Sequence, residues 1–213
     1  MFRRATLTAL AIASVVFLAA GGTARASAQV IRDRFHGQFA EAGWETTTAT
    51  SITDVGTLAS KEQDGTTHLS IVDLQTYLDA NGNVTGSLLI TGELAGASMT
   101  FDRVGLSTAS ASGTLPVTRC TFDAAGNPTR CADGTLDVSV TWAGQGDIAR
   151  GNFYEDHALD SGNLVYIDRL SGSFRLAEAT ATIGGQNFDA STLQFADLGV
   201  SNQLTVTVCP RGC

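Results

Sequence analysis

The tightest constraint on this chain is an apolar alternation with a period of two. Leu136, Val138, Val140 and Trp142 alternate with Asp137, Ser139 and Thr141. Successive side chains of a strand point to opposite faces, so this spacing buries one face and wets the other, whereas a helix would scatter both sets around its surface. Leu204, Val206 and Val208 set against Thr205 and Thr207 repeat the pattern. Further strands are predicted over residues 35–40, 66–78, 84–94, 99–106, 163–170 and 173–182. Turn signals fall between or near them: Asp64-Gly65, Asn81-Gly82, Gly126-Asn127, Asp133-Gly134, Ser161-Gly162 and Gly184-Gly185. After residue 28 no segment keeps a helical apolar period beyond about two turns, so any helix should be short. Many strands at short spacing predict an all-β, antiparallel β-sandwich or barrel.

The first 28 residues read as an export signal. Arg3 and Arg4 supply positive charge, an apolar run covers Leu7 to Ala20, and Ala26-Ser27-Ala28 offers small residues for cleavage. The apolar run is shorter than the roughly 20 residues a membrane-spanning helix needs, so a cleaved leader is expected rather than a retained anchor. The mature chain then starts at Gln29, or at Ser27 if Ala24-Arg25-Ala26 is used. Residues 29–213 suffice for a single all-β domain. Recurring marks also suggest a duplication with halves 29–120 and 121–213. Asp64-Gly65-Thr66 matches Asp133-Gly134-Thr135, and Gly86-Ser87 matches Gly172-Ser173. Phe101-Asp102 matches Phe188-Asp189, and the segment from Leu115 to Cys120 matches that from Leu204 to Cys209. The interval 143–161 reads as a loop inserted into the second half.

All four cysteines, Cys120, Cys131, Cys209 and Cys213, lie in the exported part, where an oxidising compartment favours disulfides. A hairpin centred on Ala125 and Gly126 sets Phe122 against Thr129, Thr121 against Arg130, and Cys120 against Cys131. That register predicts a cross-strand bridge and leaves Cys209 to pair with Cys213. The rival pairing, Cys120 with Cys209, would follow from the duplication. Neither a zinc spacing nor a C-x-x-C redox motif is present.

Charge narrows the partners. The chain holds 13 Lys and Arg against 21 Asp and Glu. Without Arg3, Arg4 and Arg25 that becomes ten against 21, a mature net charge of −11. This sign argues against nucleic acid. Cell-wall or extracellular polysaccharide, or another protein, are the expected partners, with no membrane span after processing.

Chemistry-bearing motifs are sparse. Tyr154-Glu155-Asp156-His157 is the densest reactive cluster, and on a strand Glu155 and His157 would share a face. An exposed acidic stretch explains it as well, and no third metal ligand is near in sequence. Trp44 and Trp142 are candidates to stack on a sugar ring. Trp142 continues an apolar alternation and reads as core, while Trp44 is the better candidate for a ligand face, weighed against burial on a strand. No seryl nucleophile elbow, phosphate loop or matched carboxylate pair stands out, and Asp79-Ala80-Asn81-Gly82-Asn83 fits a β-turn better than a calcium loop. No cofactor, metal or catalytic residue is expected. The sequence therefore points to a secreted, non-enzymatic extracellular binding or structural module of unknown ligand. The alternative is a secreted polysaccharide-active or metal-dependent hydrolase.

Overall fold

The computed structural model describes residues 29–158 and 165–209, with side chains at 34–152 and 171–204. The export signal at residues 1–28 lies outside the described residues, as does the expected Ser161-Gly162 turn. Eleven strands follow one another: β1 (Gln29–Thr47), β2 (Ser51–Glu62), β3 (Thr67–Leu78), β4 (Val84–Ala95), β5 (Ser98–Phe101), β6 (Thr108–Asp123), β7 (Pro128–Gly144), β8 (Ala149–Ala158), β9 (Val165–Ile183), β10 (Gln186–Phe188) and β11 (Leu193–Cys209). The protein is all-β and antiparallel, with no helix among the described residues.

Eight strands close a ring in the order β1, β2, β3, β4, β6, β7, β9, β11 and back to β1. The long β9 makes the closure possible by serving two neighbours. Residues Val165 to Leu176 pair with β11, and Ala177 to Ile183 pair with β7. The short β5 lies on β6, while β8 and β10 lie on β9.

The alternation read from the sequence decides what the ring encloses. Leu136, Val138, Val140 and Trp142 of β7 are buried, as are Leu115 and Val117 of β6, Ala40, Ala42 and Trp44 of β1, and Ala179, Ala181 and Ile183 of β9. Their neighbours along each strand point outward. Trp142 reaches across the ring: its indole N–H donates to the Glu41 carbonyl at 2.9 Å, fastening β7 to β1 through the core.

Turns are built from acids and glycines. The Asp79 carboxylate accepts the N–H groups of Asn81 and Asn83, and Asp123 accepts those of Ala125 and Asn127. Gly82 and Gly126 take φ of 82° and 81°, a left-handed conformation that glycine adopts at no steric cost. Five acids, Asp64, Asp79, Asp102, Asp123 and Asp189, hold turns this way, and those hydrogen bonds lower each carboxyl's pKa, Asp102 to about 2. Five of the 21 acids are thus turn chemistry.

Several expectations need correction. The strand expected over 99–106 stops at Phe101, because Asp102 gathers the N–H groups of Val104, Gly105 and Ser107 and turns the chain. Leu106 then enters the core with φ of 46°, a strained conformation for leucine. The strands expected over 163–170 and 173–182 are one, β9, since Ser171 and Gly172 stay paired with β11. Asp133-Gly134 is no turn: β7 runs straight through it, and the Thr118 hydroxyl on β6 donates to the Asp133 carboxylate at 2.9 Å. That mark therefore differs from Asp64-Gly65, which joins β2 to β3. The interval expected as a loop holds β8.

The hairpin around Ala125 and Gly126 forms in the expected register as far as Thr121↔Arg130 and Cys120↔Cys131, then shifts so that Phe122 faces Pro128 rather than Thr129. Cys120 and Cys131 are bridged, which rejects the rival pairing of Cys120 with Cys209. The Cys209–Cys213 pairing lies outside the described residues.

Candidate ligand-binding hollow

Gly43 of β1 and Gly56 of β2 are paired residues on the outward face, one step along each strand from the buried Ala42, Trp44, Val55 and Thr57. At the same level Gly43 faces Phe195 of β11 and Gly56 faces Val72 of β3. Two adjacent positions without side chains leave a depression in the wall.

Its two halves differ. A Cβ on Gly43 would sit 2.4 Å from Cε1 of Phe195, so that ring already lies on the glycine. A Cβ on Gly56 would meet nothing within 4 Å. The resulting hollow holds about 330 Å³, with Leu58, Val72, Leu74 and Phe195 as apolar walls. Phe195 and Leu74 remain 48% and 36% exposed, a large apolar surface to leave facing water unless something covers it.

Carboxyl groups stand at both ends. One level along, Glu41 faces Asp197 on β11; one level the other way, Asp54 faces Glu45. Burial, then the Glu41 charge and hydrogen bond, push Asp197 up to about 7. Burial also raises Glu41, and its hydrogen bond with Asp197 partly offsets the rise. Both carboxyls are thus pushed toward their protonated forms, and Asp197 Oδ1 is buried without a hydrogen-bond partner. Asp54 is raised as well, by burial first and then by the Glu45 charge. No lysine or arginine lines the hollow.

Two other concavities are less suited to a ligand. A groove of about 390 Å³ over Ser139, Thr141, Thr180, Thr182 and Asn187 is lined by polar groups that largely satisfy one another: Thr141 with Thr180 at 2.8 Å and Thr182 with Asn187 at 2.9 Å. A cleft of about 360 Å³ runs beside Arg34, His36, Glu62 and Asp64. Inside the ring, Trp44 Nε1, Thr57 Oγ1 and Asp73 Oδ1 are buried without hydrogen-bond partners, and burial raises the Asp73 pKa.

Of the residues expected to form a site, only Trp44 has a described side chain. Trp44 is only 1% exposed: its ring packs against Phe188, with centroids 5.9 Å apart, and it touches the hollow only from beneath, between Gly43 and Val55. The strand alternation that points Gly43 outward, beneath Phe195, turns its neighbour inward. Tyr154, Glu155, Asp156 and His157 fall on β8, paired with β9 in the register Glu155↔Asp168 and His157↔Tyr166, and their side chains lie outside the described residues. The His68 Nδ1–H donates to the Glu93 carboxylate at 2.9 Å. Among the described residues no three His, Cys, Asp or Glu side chains converge as metal ligands. Sequence reading missed Gly43 and Gly56 as a site. A glycine inside a strand signals a close approach or a place for something else, but only the register shows that these two are neighbours.

Fold and hollow together define an antiparallel protein with an eight-stranded ring, a mainly apolar interior that also buries Thr57, Asp73 and Ser201, and a glycine-floored depression on its outer wall. No known protein family, curated protein or solved structure matches the chain.

Proposed function

We propose that the mature chain is a secreted, non-enzymatic extracellular binding module whose ring is a β-barrel and whose ligand seat is the hollow over Gly43 and Gly56. The observation that carries this reading is an open, apolar, glycine-floored depression on a scaffold whose other outward positions on β6 and β7 are mainly Ser, Thr and Asp. Sites for small ligands are concave and mostly apolar with a few placed polar groups. The leader motif supports export, and the Cys120–Cys131 bridge suits an oxidising compartment. The outward polarity of β6 and β7 is the reverse of a lipid-facing wall. The test is a fragment screen by amide NMR on the mature protein. Shifts should gather on Gly43, Gly56, Leu58, Val72, Leu74 and Phe195; hits confined to other faces would reject the seat.

A second reading, a secreted hydrolase acting on a polymer, draws on the facing carboxyls of Glu41 and Asp197, both raised by burial. Hydrogen-bonded carboxyls are nearer than the roughly 5 Å separation used in retaining glycoside hydrolysis, which leaves an acid–base dyad as the available chemistry. Incubation with wall and plant polysaccharides and with extracellular protein, scored for retention and for cleavage, separates the readings. Retention without cleavage favours the binding module.

A further inference from the structure

We infer that the hollow takes a small organic cation, an apolar body over Gly43 and Gly56 with a protonated amine against the Glu41 carboxylate. This rests on the hollow being the ligand seat and names the chemistry it selects.

Three observations converge. The walls Leu58, Val72, Leu74 and Phe195 offer an apolar body a surface to leave water for. The volume of about 330 Å³ lies at the small end of ligand sites, suiting a single ring or a short branched chain. The charged groups lining the hollow are Glu41 and Asp54, with Asp197 and Glu45 behind them, and no cationic side chain competes for them. A carboxylate partly withdrawn from water attracts an ammonium more strongly than an exposed one, so Glu41 is the anchor and Asp54 the outer rim. An anionic ligand of the same shape would meet repulsion at both ends. The mature net charge of −11 adds long-range attraction for cations.

The test uses three probes with one apolar body: 2-phenylethylammonium, 2-phenylethanol and 3-phenylpropionate, each titrated into the mature protein and followed by amide NMR at Gly43 and Gly56. The cation should bind at least tenfold more tightly than the alcohol, and the carboxylate should not bind. Glu41→Gln should bring the cation to within about threefold of the alcohol without changing the alcohol's affinity, and Asp54→Asn should weaken the cation about two- to threefold. Equal binding of cation and alcohol at these amides would overturn the inference while leaving the hollow as a seat. No response to any probe would remove both. Should Glu41→Gln fail to fold, the three-probe comparison on the natural chain decides alone.

Discussion

Two outer walls of the same ring show how one core can carry different surfaces. Across β5, β6, β7 and β9, one level holds Thr100, Ser110, Thr141 and Thr180, and the next holds Ser98, Ser112, Ser139 and Thr182. Across β11, β1, β2 and β3, the corresponding level holds Phe195, Gly43, Gly56 and Val72. Cross-strand hydroxyls finish each other's hydrogen bonds, as Thr100 and Ser110 do at 2.7 Å. That wall is complete by itself. Paired glycines instead leave a void that apolar neighbours rim and carboxyls guard. Inward, both walls are lined by alanines, branched aliphatics and one tryptophan each, Trp142 on β7 and Trp44 on β1, while the second wall alone also buries Thr57, Asp73 and Ser201.

The comparison breaks first at the core. If both walls stand on one interior, Trp142→Ala should destabilise the whole protein by about 3 to 5 kcal/mol, from lost burial, the cavity left, and the orphaned Glu41 carbonyl. Thermal unfolding should show a single transition at lower temperature; two transitions would mean that the walls fold as separate units. Next comes the staple on the hydroxyl side. The Cys120–Cys131 bridge spans 11 residues of sequence. Closing such a loop contributes roughly 3 kcal/mol in the chain-entropy model, so Cys120→Ser should lower the denaturant midpoint correspondingly. A loss below about 1 kcal/mol would mean that the β6–β7 ladder restrains the hairpin without it.

A smaller effect should belong to the hollow wall alone. Asp197 has a folded pKa near 7 against an ordinary 3.8. Between those values the unfolded chain releases a proton that the folded chain keeps, so this group's stabilising contribution is present below pH 4 and is lost as pH rises through 7. After allowance for partial exposure and the interaction with Glu41, the change should be of the order of 2 kcal/mol. Chemical denaturation at pH 4, 5.5 and 7.5 should show the decline in the natural chain and a shallower one in Asp197→Asn, where the raised Glu41, Asp54 and Asp73 keep the remainder. An unchanged slope would place the pH dependence elsewhere. Smallest of all, Thr141→Val on the other wall removes one exposed hydroxyl bond and should shift stability by about 0.5 kcal/mol or less. It should leave probe binding untouched; a change in binding would join the two walls functionally.

How far the sequence could be read follows from what period-two spacing encodes. Leu136 to Trp142 announces a half-buried strand on its own, and Cys120 facing Cys131 follows from counting outward from one turn. β2 was hidden because its inward positions include Thr57 and Ala59 beside Val55, giving little apolar contrast with Asp54, Gly56 and Ser60. The break at Asp102 and the absence of one at Asp133-Gly134 depend on which backbone N–H groups a carboxylate can reach, and that is tertiary. The site was less legible still. Trp44 drew attention as a large aromatic, yet the same alternation that buries it leaves the neighbouring Gly43 outside. Gly43 and Gly56 become a floor only through a pairing that no local pattern specifies.

The central claim, that the void over these glycines is the ligand seat, is tested most directly by filling it. Gly56 has no positive φ and open space beyond its Cα, so Gly56→Leu should fold with a melting temperature equal to or above the natural chain's, since strand glycines cost stability. Titrated with 2-phenylethylammonium, Gly56→Leu should show at least a tenfold loss of affinity. Affinity retained in a folded Gly56→Leu protein would contradict the account.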